Sequence, residues 1–258
     1  MTTVPETRPR ATLRRLAVPA AAALVALAVL LRLGFWQLDR LAWKTDLIAR
    51  VEERVALPPV AAPEPSDWPS LEPDAVDYRR VAVTGRFAPG ELYYYIALGN
   101  ARGPYQGPGY FVYSPFMTDA GWAVMVNRGF VPDALRDPST RAAGGTEGET
   151  QTVTGLLRVG ERPNVFTPAP DPAKGIWFAR EPEKMAAALG VAGMPVAPFS
   201  IDADAAFTPP SGLPQAGETV VRFKNDHLGY ALTWFGLALT LVGVFAAYAR
   251  SVLKAAGK

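Results

Sequence analysis

Leu228-Gly-Tyr-Ala-Leu-Thr-Trp-Phe-Gly-Leu-Ala-Leu-Thr-Leu-Val-Gly-Val-Phe-Ala-Ala-Tyr-Ala249 runs for 22 residues without a charge. About 20 apolar residues suffice for a helix to cross a bilayer's hydrocarbon. His227 opens the stretch, Arg250 and Lys254 close it, and Tyr230, Trp234, Phe235 and Tyr248 stand near its two ends, as an aromatic belt would. A second apolar stretch lies near the other end of the chain, Leu16–Trp36, broken only by Arg32. It reaches spanning length if the arginine lays its stem in hydrocarbon and its head at the interface. Pro19 falls in the first turn of that span, where its missing donor does little harm. A cleaved signal peptide is the alternative reading, since Arg8, Arg10, Arg14 and Arg15 form a charged leader. The bulky Leu33-Gly-Phe-Trp-Gln37 that follows the apolar run offers no small-x-small cleavage site.

Charge is distributed to match. Residues 36–226 hold 18 basic and 23 acidic residues, whereas the remaining ends hold eight basic residues and one acid, Glu6. The positive charge therefore flanks the membrane, and no nucleic-acid surface is indicated. Basic ends place both termini in the cytoplasm. The reading divides the chain into a cytoplasmic tail (1–15), a first span (16–36), an extracytoplasmic domain (37–226), a second span (227–249) and a cytoplasmic tail (250–258). The bilayer is thus the first expected partner.

Within the domain, Leu41, Leu47, Ile48, Val51 and Val55 recur at helical spacing, so residues 36–57 continue the first helix until Pro58-Pro59. Residues 58–75, rich in Pro, Ala and acids, read as a linker. Alternation and turn residues predict strands at Tyr78–Phe87, Leu92–Leu98, Tyr110–Met117, Trp122–Val131, Thr152–Val159, Ile176–Ala179, Phe199–Ala203 and Glu218–Phe223. The turn Asp119-Ala-Gly121 makes the third and fourth of these a hairpin. Pro182–Leu189 fits one short helix, and residues 133–149 a polar loop. The fold class is a membrane protein with two transmembrane helices flanking a β-rich α+β domain, its antiparallel sheet open or partly closed into a barrel.

Chemistry is scarce. The chain has no cysteine and one histidine, His227, which removes disulfides, thiol redox chemistry and Cys-ligated metals, and disfavours copper delivery. No Gly-x-Ser-x-Gly elbow occurs. Gly103-Pro-Tyr-Gln-Gly-Pro-Gly109 lacks the Lys-Ser/Thr and the strand–helix context of a phosphate loop, and reads as a turn-rich loop. The carboxylate pairs Glu52-Glu53 and Asp202/Asp204 read as solvated faces. No enzyme is expected. His227 is the residue of interest. On a helix, Tyr230 stands about 60° and Trp234 about 20° around from it, and Trp234 lies roughly 10 Å deeper. An imidazole above two aromatic rings suits a haem iron whose macrocycle the rings contact. Arg40 and Lys44, beyond the first span, could neutralise propionates. The plainer reading is an interfacial histidine with belt aromatics.

Four blocks resemble one known family. They are Leu33-Gly-Phe-Trp-Gln-Leu-Asp-Arg-Leu-Ala-Trp-Lys44, then Gly109–Phe116 with Gly121-Trp-Ala-Val-Met-Val-Asn-Arg-Gly-Phe-Val-Pro132, then Ile176-Trp-Phe-Ala-Arg180 with Met185-Ala186, and Asn225-Asp-His-Leu-Gly-Tyr-Ala-Leu-Thr-Trp-Phe235. In order and spacing the chain is similar to the Surfeit locus protein 1 family across almost its whole length. The resemblance implies a non-enzymatic assembly factor for haem–copper cytochrome c oxidase in a bacterial inner membrane, its main domain periplasmic. It further implies a haem chaperone that takes haem a from haem a synthase and assists its insertion into the oxidase catalytic subunit. The family's suggested iron ligand maps to His227, with Tyr230, Trp234 and Arg40 as supporting cofactor-binding candidates from geometry. The alternative from another class is a scaffold that docks oxidase subunits or other assembly factors and never touches cofactor.

Overall fold

The computed structural model describes residues 8–141, 148–219, 221 and 225–256. They fall into two units, one formed by the chain ends up to Arg50 and from Arg222, the other by Val51–Val221.

The first unit is built on two helices, α1 (Arg8–Ala56) and α4 (His227–Ala256). Both carry stretches long and apolar enough to be candidate membrane spans, which fits a two-span membrane protein. Most of their apolar side chains face outward, Val18, Leu24, Leu232 and Leu239 among them, as lipid-facing surfaces do. On α1 the least exposed positions step by three and four residues through Ala20, Ala23, Leu27, Leu30, Gly34, Gln37 and Leu41. On α4 they run through His227, Ala231, Trp234, Ala238, Leu241 and Phe245. This spacing is that of a left-handed helix seam. Gly34 is required in it: a Cβ there would lie 2.6 Å from Phe235 Cε1. Pro19 does not open a helix as expected from the sequence. α1 starts at Arg8, so Pro19 is interior to it, where it removes one rung of the ladder.

The second unit contains β1 (Val60–Ala61), α2 (Pro73–Val76), β2 (Arg80–Phe87), β3 (Leu92–Leu98), β4 (Gly107–Thr118), β5 (Ala123–Pro132), β6 (Gln151–Val159), β7 (Ile176–Trp177), α3 (Pro182–Ala188) and β8 (Val196–Ala203). The pairings β2–β6, β6–β8, β8–β5, β5–β4 and β4–β2 form a closed five-stranded barrel, with β1 on β2 and β3 then β7 on β4 as extensions. Closure leaves those five strands without a free edge. β2 changes partner at Gly85, which faces Gln151 of β6 and Thr118 of β4. A Cβ there would sit 2.1 Å from Met117 O, so only glycine turns that corner. The barrel fills with Val81, Val83, Phe116, Val124, Val126, Leu157, Phe199 and Ile201. A second cluster outside the wall packs Trp177, Met185 and Ala186 against Phe111, Tyr113 and Met125.

Three expectations are corrected. The β5–β8 pairing is parallel, because the long excursion between those strands supplies the crossover that parallel neighbours need. Residues 58–75 are packed rather than a free linker. Trp68 lies edge-on to Trp122 and Phe199, at 5.8 and 6.3 Å between centroids, and its indole N–H donates to Pro63 O at 3.0 Å. Residues 218, 219 and 221 form no strand, and 220 and 222–224 lie outside the described residues. Glu218 instead turns its carboxylate inward to accept the N–H groups of Arg102 and Gly103, both at 2.8 Å. Gln215 donates to the same carboxylate and holds the N–H and C=O of Tyr105. The start of the glycine-rich loop at 103–109 is thereby clasped in place by the side chains of Glu218 and Gln215.

Tyr78, Tyr93, Tyr94, Tyr110 and Tyr113 all have phenols held above their ordinary pKa, in each case chiefly by burial. Tyr93 is pushed up to about 12, with Glu91 adding to the effect of burial. These phenols remain protonated in the folded domain where those of the unfolded chain, near pH 10, already ionise. The stability they contribute is complete below about pH 10 and is lost as pH rises through the folded values. The denaturation midpoint of the purified protein should therefore hold steady from pH 8 to about 10 and fall beyond it. A midpoint that is flat or rising above that pH would contradict this.

Candidate functional site

Gln37 is a polar residue in an otherwise apolar stretch, and the seam spacing turns it toward α4, where it is 9% exposed. His227, the first residue of α4, is half-buried. Its Nδ1 lies 2.7 Å from Gln37 Oε1. An amide oxygen can only accept, so the shared proton resides on Nδ1. In the neutral ring, Nε2 then carries the free lone pair. Metal-binding imidazoles are prepared in this way: the second nitrogen's hydrogen bond fixes both the tautomer and the ring plane.

One helical turn beyond Gln37, the Arg40 guanidinium stacks over the Trp43 ring at 4.2 Å from its centroid. Among the described residues no carboxylate pairs with it. Farther along, Asn225 Nδ2 donates to Thr45 Oγ1 at 3.4 Å. Its own Oδ1 is enclosed and lacks a donor among the described residues. On the opposite side of Gln37, Phe35 meets Phe235 edge-on at 5.4 Å. Farther down the pair, Ala20, Ala23, Leu24 and Leu27 face Leu241, Val242, Phe245 and Ala246 across an apolar groove of about 330 Å³.

The residues singled out from sequence are thus distributed unevenly. His227 and Trp234 lie in the seam between the helices, Trp234 half-buried, whereas Tyr230 is 57% exposed and faces away. Arg40 is half-buried on α1, engaged with Trp43. Lys44 is half-buried in the same helix. Gln37 is the residue that the sequence reading missed. The available signal was its place three residues after Gly34, on the same face. The set can present one imidazole nitrogen, a cation on an indole platform, aromatic surface and an unfilled acceptor, which suits an apolar macrocycle carrying a metal and carboxylates.

Comparison with known proteins assigns the chain to a family. Residues 24–239 match the model of the SURF1 family. A SURF1-like protein from Monosiga brevicollis is 37% identical over 220 residues, covering 81% of this chain and 79% of its own length. Surfeit locus protein 1 from Homo sapiens is 37% identical over 219 residues, covering 80% and 69%. The Rattus norvegicus protein of that name is 36% identical over 217 residues, covering 80% and 67%. With four-fifths of its length aligned at this identity, the chain belongs to the SURF1 family, an assignment that fits an oxidase assembly factor.

Proposed function

We propose that the chain is a haem a chaperone, which receives haem a from haem a synthase and presents it to the catalytic subunit of cytochrome c oxidase. The observation that carries this reading is the 2.7 Å hydrogen bond from His227 Nδ1 to Gln37 Oε1. It leaves Nε2 as the chain's single imidazole donor for iron. Arg40 and Lys44 would meet the propionates, and Trp234 and Phe235 would shield the macrocycle from water. Haem supplies the iron that accepts the imidazole lone pair; the residues only bind, orient and release it. One protein ligand on a cargo that must leave is preferable to two, because axial ligation is what transfer has to break. We place the site on the periplasmic side of a bacterial inner membrane, with both basic termini in the cytoplasm.

The test is to purify the full chain from cells with and without haem a biosynthesis. An a-type optical spectrum should appear only in the first preparation. Absence of that spectrum, with oxidase subunits co-purifying, would replace the chaperone by a scaffold. Removing the hydrogen bond alone is a finer test. Gln37→Leu should leave the imidazole free to adopt either tautomer and weaken haem a binding by about 10–100-fold, measured by titration of the haem-free protein. An unchanged affinity would remove Gln37 from the site.

A further inference from the structure

Between β6 and α3 the chain makes a long excursion away from the barrel wall, and its neck is closed by a dense set of bonds. Glu161 N–H donates to Arg180 O at 2.6 Å, and Arg180 N–H returns to Glu161 Oε2 at 2.9 Å. The Arg180 guanidinium pairs with Glu161 Oε1 at 3.0 Å, and also donates to Val159 O at 3.0 Å and Tyr113 Oη at 3.2 Å. Tyr113 in turn donates to the buried carboxylate of Asp202. The neck is therefore fastened to the barrel.

The tip is just as fixed. Asn164 N–H donates to Thr167 Oγ1 at 3.0 Å, Phe166 N–H to Asn164 Oδ1 at 2.9 Å and Thr167 N–H to Asn164 O at 3.0 Å. Pro163 and Pro168 flank this turn and restrict its backbone further. Its two central residues are Val165 and Phe166, 92% and 91% exposed. The next most exposed large apolar side chain among the described residues of this unit, Leu57, reaches 52%. A braced turn that holds valine and phenylalanine almost wholly in water is a surface built for an apolar partner.

We propose that Val165 and Phe166 form a membrane-interface anchor, inserted among the lipids of the bilayer that holds the two spans. The proposal rests on the two-span reading and is independent of haem. Two side chains bury roughly 300–400 Å² at most, well under the roughly 1,200 Å² of a specific protein interface. Transfer of the pair out of water favours insertion by about a hundredfold or more. That is weak for a free protein and ample for a domain joined to spans at both ends, whose effective concentration at the bilayer is high. Charge does not oppose it. Near the tip, Glu161 is taken by Arg180, Asp171 pairs with Lys174 at 3.3 Å, and Arg162 is an exposed cation that suits lipid headgroups. Apolar transfer should therefore suffice for insertion into neutral lipid, with Arg162 adding affinity for an anionic one.

The chain contains no cysteine, so Val165→Cys and Lys174→Cys each give one labelling site in the full protein. Each is labelled with an environment-sensitive fluorophore and reconstituted in phosphatidylcholine vesicles, with or without lipid carrying a nitroxide high on its acyl chain. The label at 165 should emit to the blue and be quenched by the nitroxide several-fold more than the label at 174. Adding Phe166→Ser should return it to water. Equal, water-like emission at both sites would overturn the proposal. So would blue emission at 165 without nitroxide quenching, which would place the tip in a protein pocket.

Discussion

Changing His227 to alanine is expected to abolish the a-type spectrum of the purified protein while leaving it folded and inserted. Insertion is set by the apolar stretches, which this change does not touch. Its cost to folding is the loss of one hydrogen bond and of the partner of Gln37 Oε1, about 1–3 kcal/mol. His227 is the only histidine in the chain, so no second imidazole can substitute. Added imidazole should restore the spectrum in part, since it can occupy the space left by the side chain and lie against Gln37. That rescue separates a ligand from a residue that merely supports the helix end. A His227→Ala protein with undiminished haem a would remove the residue from the site.

The second large effect concerns stability of the barrel. Asp202 is 4% exposed and accepts hydrogen bonds from Asn127 Nδ2 at 3.1 Å, Thr219 Oγ1 at 2.7 Å, Tyr113 Oη at 3.4 Å and an Arg158 guanidinium nitrogen at 3.4 Å. Arg158 is shared with Asp77 and Tyr78, and Arg180 reaches the same network through Tyr113. Asp202→Ala takes one of two carboxylates from Arg158, which keeps Asp77, and leaves the buried donors of Asn127, Tyr113 and Thr219 without their acceptor. A cost of about 3–5 kcal/mol is expected, read as a lowered denaturation midpoint by tryptophan fluorescence. The neighbouring Asp204 pairs with Arg80 where both are partly exposed, so Asp204→Ala should cost only about 0–1 kcal/mol. Equal effects from the two substitutions would show that the buried network is not what holds the excursion to the barrel.

The contrast between those two aspartates also shows what a sequence can and cannot disclose. Two residues apart, one on β8 and the other just past its end, they look alike in sequence, as a pair on a solvated face. One is in fact enclosed, because Asn127, Tyr113, Arg158 and Thr219 converge on it from distant parts of the chain, a meeting no local pattern encodes. Strands declare themselves through alternation, and Leu92–Leu98 has the predicted bounds. The two candidate spans are legible because long apolar stretches have few other uses. Residues 58–75 and Glu218 depart from the expected linker and strand for a common reason: Trp68 in the first, and Glu218 itself, act through partners far away in the chain, Trp122 and Phe199 for one, the Arg102 and Gly103 amides for the other. At the candidate site, His227 stands out as the single imidazole. Gln37 gains its meaning only when α4 is laid beside α1 and the seam positions are matched.

The most direct measurement is resonance Raman spectroscopy of the haem a-loaded protein grown with ordinary or heavy-nitrogen histidine. Because the chain has one histidine, a shift of the iron–nitrogen stretching band on labelling can arise only from His227. The expected result is that shift in the wild type and its absence in His227→Ala supplied with unlabelled imidazole. A haem a-loaded wild type whose spectrum is insensitive to the label would contradict ligation by His227.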